Sequence, residues 1–210
     1  MRTTLAVVVA AGVAVAGELG TTPAQAQEFA SKGTAAFSAD RLFGVNLHHA
    51  HTEGDGSTDT TDVGIVWRGE PTDPYEIPRL SFDYFPIHGL NIGGSLAFST
   101  IGGDNGGYYN SAFLLAPRVG YCWMFSRAVG FWIRGGVTYD NIDYPGPGGE
   151  WGFAFTAEGQ FVISPVNHFA FTLGPTFDVT MVGKRHGGRV DLNRTYRNIG
   201  ILNFGLMGWL

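Results

Sequence analysis

The sequence predicts an all-β protein, an eight-stranded antiparallel up-and-down β-barrel that crosses a membrane, with short turns at one end and longer loops at the other. Two observations predict this fold. Large apolar side chains alternate with small or polar ones along most of the chain, a period typical of strands whose two faces meet different environments. Turn-forming segments interrupt this alternation seven times and thereby join eight strands.

The N-terminus predicts export. Arg2 precedes an unbroken apolar run at 5–16, and Ala24-Gln25-Ala26 follows as a cleavage pattern, which together are typical of a secretory signal peptide. The alternative is a membrane anchor, but the run is shorter than the ~20 residues of a spanning helix. We therefore expect three parts: a cleaved signal peptide at 1–26, a periplasmic N-terminal segment at 27–36 and the barrel at 37–210.

The connections between strands alternate strictly between long and short. Three tight turns, at 86–89, 125–128 and 164–167, separate four longer polar segments, at 52–76, 102–110, 144–150 and 183–198. The predicted strands are 37–51, 77–85, 90–101, 111–124, 129–143, 151–163, 168–182 and 199–210. Most of them reach the ~9–11 residues that a tilted strand needs to cross a bilayer.

The two faces of the strands favour a membrane over water. One face carries mainly Gly, Ser, Ala and Thr, whereas the other carries Leu and large aromatics. A soluble barrel would place its apolar face inside, and small residues suit a narrow interior. Aromatic residues near the turn ends form an expected interfacial belt; they are Tyr84, Trp123, Phe125, Phe131, Phe161, Phe169 and Trp209.

Three segments resemble the bacterial outer-membrane β-barrel family, the small barrels similar to OmpX and the OmpA membrane domain. They are Leu80-Ser81-Phe82-Asp83-Tyr84-Phe85, Leu90-Asn91-Ile92-Gly93-Gly94 and Ala116-Pro117-Arg118-Val119-Gly120-Tyr121. The C-terminal strand also resembles the signal read by the outer-membrane assembly machinery, although that signal usually ends in Phe and this chain ends in Leu210. The resemblance implies an outer-membrane location and a fold, and it carries no catalytic residues.

Strand parity predicts a charged barrel interior. The inward positions include three arginines, four aspartates and one glutamate: Asp40, Arg79, Asp83, Arg118, Arg134, Asp140, Glu158 and Asp178. Charges in so narrow a lumen must be paired, so we expect an ion-pair network that fills it. A proton or ion path is the alternative. His48 and Cys122 also fall on inward positions.

Few residues point to a reaction or a metal. His49 and His51 share one strand face near the outer mouth and are weak metal candidates, but no second His/Cys pair has a recognisable spacing. We therefore predict no metal and no cofactor. A lipid-A-modifying enzyme is an alternative function, since His49, His51, Ser57 and Glu53 lie near the outer rim, yet they match no motif.

Charge is sorted between two of the predicted outer loops. Segment 52–76 holds seven acidic residues and one basic residue, whereas 183–198 holds five basic residues and one acidic residue. Barrel closure would bring these segments together, which predicts an ordered cap. Its spare cations could contact lipopolysaccharide phosphates; they are Lys184, Arg185, Arg189, Arg194 and Arg197.

The functional prediction is a monomeric, non-enzymatic outer-membrane barrel with a structural or surface-interaction role. Its expected partners are outer-membrane lipid, lipopolysaccharide and the assembly machinery. A net charge of −5 argues against nucleic acid. A small-solute porin is a second alternative, disfavoured because open channels have ~16–18 strands.

Overall fold

The computed structural model describes residues 28–53, 56–65, 75, 77–102, 109–144, 148–187 and 190–210; the predicted signal peptide lies outside them. Within these ranges the regular structure consists of nine β-strands. They are β1 (Ala35–Thr52), β2 (Gly56–Ile65), β3 (Arg79–Tyr84), β4 (Leu90–Gly102), β5 (Tyr109–Met124), β6 (Val129–Asp143), β7 (Gly148–Val166), β8 (Phe169–Gly187) and β9 (Val190–Trp209). The described part of the chain contains no helix able to cross a membrane.

The strands form a ring with eight positions. β2 pairs with β1 over residues 43–52, and β3 pairs with β1 over residues 35–40, so β2 and β3 occupy successive parts of one position. All neighbouring strands are antiparallel, and pairing of β1 with β9 closes the ring. The predicted eight-stranded up-and-down barrel is confirmed.

The barrel exterior is apolar. Outward side chains include Phe98, Val119 and Ile92, which are 63%, 58% and 55% exposed, while their chain neighbours are small or turned inward. So large a continuous apolar surface needs a lipid environment, and the period-two alternation matches that of transmembrane barrels.

The structure moves several predicted boundaries because strands continue into segments predicted as loops. β8 continues to Gly187, β9 begins at Val190 and β7 begins at Gly148. β2 occupies part of 52–76. Above the membrane both strand faces meet water, so the apolar period that marks a strand disappears while backbone pairing continues. Within the two segments predicted to form a cap, the described strand residues are 56–65 on one side and 183–187 with 190–198 on the other. The segments meet where the Glu53 amide donates to the Asn193 carbonyl at 3.0 Å, and an ordered cap stays a prediction.

Trp209 corrects the predicted turn-end belt of aromatic residues. Its side chain is only 4% exposed and faces the lumen, as do the alternate positions Asn203, Gly205 and Met207 of β9. The prediction used its position along the strand and overlooked its parity. The strand face predicted for Leu202, Phe204, Leu206 and Leu210 does point outward.

Candidate functional site: the barrel interior

The barrel interior has three levels. We call them the turn-end cluster, the charged layer and the outer cluster. The turn-end cluster is aromatic, the charged layer lies in the middle, and the outer cluster is mostly apolar. Each strand contributes alternate side chains to these levels because successive residues point to opposite faces.

Residues before β1 fill the turn end. Phe29 is 2% exposed, and its ring lies 5.3 Å from Phe85, 5.3 Å from Trp132 and 5.2 Å from Trp209. The Gly89 amide donates to the Ala30 carbonyl at 2.8 Å, which ties this segment to the turn between β3 and β4. Buried Cys122, inward as its parity predicts, belongs to the same cluster.

Arg118 and Arg134 are central to the charged layer. Arg118 pairs with Asp83 at 2.5 Å, with Asp40 at 2.9 Å and with Glu158 at 3.3 Å. Arg134 pairs with the same carboxylates, most closely with Glu158 at 2.8 Å. All five side chains are nearly inaccessible to solvent. The two guanidinium groups therefore share three carboxylates rather than forming separate pairs.

Arg41 belongs to the charged layer but was missed by sequence reasoning. It pairs with Asp178 at 2.6 Å and with Glu158 at 3.2 Å. Strict alternation would turn Arg41 outward, next to inward Asp40. An irregularity in the β1–β9 register between Ala39 and Phe43, together with φ of 59° at Arg41, turns it inward. Bulges re-aim side chains in this way, and no residue pattern in the sequence announces this one.

Seven of the eight predicted interior residues meet in the charged layer, and the eighth, Asp140, lies one level further out. Asp140 accepts hydrogen bonds from Tyr75 at 2.7 Å and from Arg194 at 3.1 Å. Arg79, within the charged layer, lies 3.6 Å from Asp178 and 5.8 Å from the centre of the Tyr75 ring. The structure thus places all eight predicted side chains inside the ring.

Tyr75 and Ile77 form the outer cluster with residues of five strands. Both side chains are 1% exposed, and the Tyr75 ring stacks on Tyr196 with centroids 4.6 Å apart. Sequence reasoning had placed Tyr75 in an outer loop. A signal was present, since Tyr75, Ile77 and Arg79 continue the inward register of β3.

Arg194 corrects the predicted set of outward cations. It is 9% exposed in its side chain and pairs with Glu150 at 2.7 Å as well as with Asp140. Because β9 begins at Val190, strand parity applies here and turns Arg194 into the lumen. Arg185 also reaches Glu150, at 3.4 Å. Tyr144 donates to Glu150 at 2.7 Å, and burial beside that carboxylate raises the pKa of Tyr144.

Two of the predicted cations remain on the outer face. Arg197 is exposed and lies opposite His49, and Lys184 lies opposite Trp151 with its Nζ donating to Asn193 at 2.7 Å. Arg189 lies outside the described residues. Lys184 and Arg197 therefore remain as outward cations, and Arg185 lies at the barrel mouth.

The two outer-rim histidines have different neighbours across the β1–β2 ladder. His49 Nδ1 lies 2.5 Å from Asp59, while His51 lies opposite Ser57 in the β1–β2 ladder. Glu53 accepts a hydrogen bond from Asn193 at 2.8 Å. Across the described ranges, no three His, Cys, Asp or Glu side chains come close enough together to hold a metal ion.

Comparison with known proteins places the fold among small outer-membrane barrels. No family model and no curated protein matches the sequence. Neisserial surface protein A matches the structure with a TM-score of 0.50 and 10% identity, over 84% of this chain and 99% of that one. The N-terminal barrel domain of Pseudomonas aeruginosa OprF, at 9% identity, covers 84% of this chain and 98% of its own, with a TM-score of 0.41.

The closed ring of eight strands and the apolar exterior define an integral membrane β-barrel. Its structural class is that of the small eight-stranded barrels of the bacterial outer membrane, and the family resemblance seen in the sequence is confirmed at the level of the fold. The predicted outer-membrane location agrees with this fold.

Proposed function

We propose that the protein is a non-conducting barrel with a structural and surface-interaction role. The observation that carries this proposal is the filling of the lumen at all three levels. Phe29 and its aromatic neighbours occupy the turn end, four arginines face four carboxylates in the middle, and Tyr75 lies across the outer part. Eight strands leave an interior just wide enough for side chains.

A water-filled path would require the charged layer to come apart. An arginine that moved away would leave a buried carboxylate without its partner. Removing one partner of a buried ion pair costs several kcal/mol. The shared carboxylates strengthen this argument, because Glu158 pairs with Arg41, Arg118 and Arg134 together. The charged layer therefore acts as packing and excludes solute.

A liposome-swelling assay tests the closed lumen against the porin alternative. Purified barrel reconstituted into liposomes should admit small sugars no faster than protein-free liposomes, while a general porin in parallel gives rapid swelling. Sugar uptake that rises with the amount of barrel would overturn the proposal. Mass analysis of lipid A from cells overproducing the protein tests the enzyme alternative, and an unchanged lipid A spectrum is the expected result.

The surface role rests on two cations on the outward face of the barrel. Lys184 and Arg197 lie on the outer face of β8 and β9, at the level of Trp151 and His49. Ammonium and guanidinium groups bind phosphate through charge-assisted hydrogen bonds. We assign these two side chains to contacts with lipopolysaccharide phosphates, with Arg185 as a weaker candidate because Glu150 already engages it.

Lipopolysaccharide retention tests these contacts. The double variant Lys184→Gln/Arg197→Gln should lose most of the lipopolysaccharide that remains bound to the wild-type barrel after detergent purification. Arg127→Gln is the control, because Arg127 is also an exposed cation but lies at the turn end. Equal loss in the control and the double variant would show that the contacts are unspecific charge effects.

The outward face of β9 supports a role in assembly, with the barrel inserted as a monomer. Leu202 is 47% exposed and makes part of this apolar face. Leu202→Ser should lower the folded fraction in cell envelopes while refolding in detergent proceeds normally. An equal loss in both settings would mean that Leu202 serves folding alone and would contradict recognition by the assembly machinery.

A further inference from the structure

Three side chains on the outward face of the barrel form a chain of hydrogen bonds near its mouth. The indole Nε1–H of Trp151 on β7 donates to His186 Nε2 at 3.0 Å, and His186 Nδ1 lies 2.6 Å from Asp191 Oδ1. In the strand ladders His186 of β8 lies opposite Gly149 of β7 and opposite Asp191 of β9. The imidazole therefore connects the side chains of three successive strands.

The two partners of the His186 ring determine its protonation state. An indole N–H can only donate and a carboxylate can only accept, so Nε2 presents its lone pair to Trp151 while Nδ1 carries the proton that Asp191 accepts. This arrangement requires a neutral imidazole, because a protonated ring donates from both nitrogens. Protonation at Nε2 would set two N–H groups against each other and break the bond to Trp151. The bond to Asp191 would persist and become charge-assisted.

The charged groups around His186 lie on both faces of the strands. Among the described residues, those on the outward face are Lys184, two positions earlier on β8, and Asp191 on β9. Arg185 of β8 and Glu150 of β7 pair with each other at 3.4 Å. The side chains of His186 and Asp191 are 48% and 61% exposed, so protons reach the ring directly from water. Histidine is the side chain whose charge normally changes between about pH 5 and about pH 8.

We propose that His186 is a pH-sensitive switch at the barrel mouth. Protonation of the ring releases the Trp151 indole and adds one positive charge to the face that carries Lys184. Trp151 and Lys184 lie opposite each other in the β7–β8 ladder, so the freed indole N–H and the new charge both lie beside Lys184. Acid should then favour the contact of Lys184 with lipopolysaccharide phosphates, a consequence that rests on the proposed function.

The indole N–H resonance of Trp151 tests the switch in the absence of lipopolysaccharide. In isotope-labelled barrel in detergent micelles, with Trp151→Phe identifying the signal, this resonance should shift reversibly between about pH 8 and about pH 5. His186→Gln keeps a hydrogen-bond acceptor that does not titrate, so its Trp151 resonance should stay fixed. A Trp151 resonance that is constant in the wild-type barrel, or that shifts equally in His186→Gln, would overturn the proposal.

His51→Gln is the matched control for the loss of a histidine. His51 is also exposed on the outward face, but it lies opposite Ser57 and Thr195. Its Trp151 resonance should therefore shift with pH as in the wild type. A Trp151 resonance that no longer shifts in His51→Gln would contradict the assignment of the switch to His186.

Lipopolysaccharide retention at two pH values tests the effect on the proposed contact. Wild type and His186→Gln should retain equal amounts at about pH 8, whereas at about pH 5 the wild type should retain about twofold more, an effect expected of one exposed charge. Comparing two barrels at the same pH cancels the change in phosphate charge. Equal retention at both pH values, with a titrating Trp151 resonance, supports the switch and contradicts its effect on the contact. Retention unchanged in Lys184→Gln/Arg197→Gln at about pH 8 contradicts the proposed function instead.

Discussion

The charged layer and the outer rim each place a basic side chain against a carboxylate, in opposite surroundings. The side chains of Arg118 and Asp83 are 5% and 1% exposed, whereas those of His49 and Asp59 are 41% and 82% exposed. In the layer, removal of one partner leaves a charge that water cannot reach. At the rim, water and salt replace the lost partner. Burial therefore decides which pairs hold the molecule together.

The largest effect is expected in the charged layer. Arg134→Ala should lower the free energy of unfolding by ~3–5 kcal/mol, since Asp40 and Glu158 lose a buried cation. Urea titration in detergent micelles, followed by tryptophan fluorescence, measures this change. Arg127→Ala is the control, because the exposed Arg127–Glu28 pair should contribute nothing measurable. Equal losses of unfolding free energy in the two variants would contradict the distinction between buried and exposed ion pairs.

The turn-end cluster should come next. Phe29→Ala deletes the ring that contacts Phe85, Trp132 and Trp209, and large-to-small changes of this kind cost ~3 kcal/mol or more in a packed interior. The same urea titration applies. Lys32→Ala changes an exposed side chain of the same segment and should leave the unfolding midpoint unchanged. An unfolding midpoint that is unchanged in Phe29→Ala would mean that residues 28–34 do not stabilise the barrel.

A smaller effect is expected at Tyr75. Tyr75→Phe keeps the ring stacked on Tyr196 but removes the hydrogen bond to Asp140, and hydrogen bonds to charged groups contribute ~1.5–3 kcal/mol. Tyr144→Phe removes a hydrogen bond of equal length to Glu150 at a half-buried position. The Tyr75 change should therefore be the more destabilising. The reverse order would show that the outer cluster is hydrated.

The rim pair should give the smallest effect. Asp59→Asn removes the carboxylate beside His49, and exposed pairs typically contribute ~0–1 kcal/mol, with less in high salt. Thermal unfolding of wild type and variant at low and high salt provides the measurement. A loss as large as that of Arg134→Ala, insensitive to salt, would be inconsistent with an exposed rim.

Sequence reasoning succeeded where the membrane imposes strict alternation. All eight predicted interior residues lie inside, because each spanning strand must turn one face to lipid and the other to the lumen. The exceptions have separate physical causes. Arg41 turns inward at a register irregularity, and Arg194 lies beyond the apolar band, where alternation no longer shows in hydropathy. Tyr75 lies in a mostly polar segment, so no alternation of apolar and polar residues indicated that its side chain points inward.

Conductance of single barrels in planar lipid bilayers tests the central claim most directly, because it reports whether any continuous water path crosses the charged layer. Wild-type barrel, inserted at a density verified by a fluorescent label, should produce no stable current steps at either polarity. A general porin in the same bilayers supplies the positive control. Steady steps of porin size from the wild-type barrel would contradict a lumen filled by the turn-end cluster, the charged layer and the outer cluster.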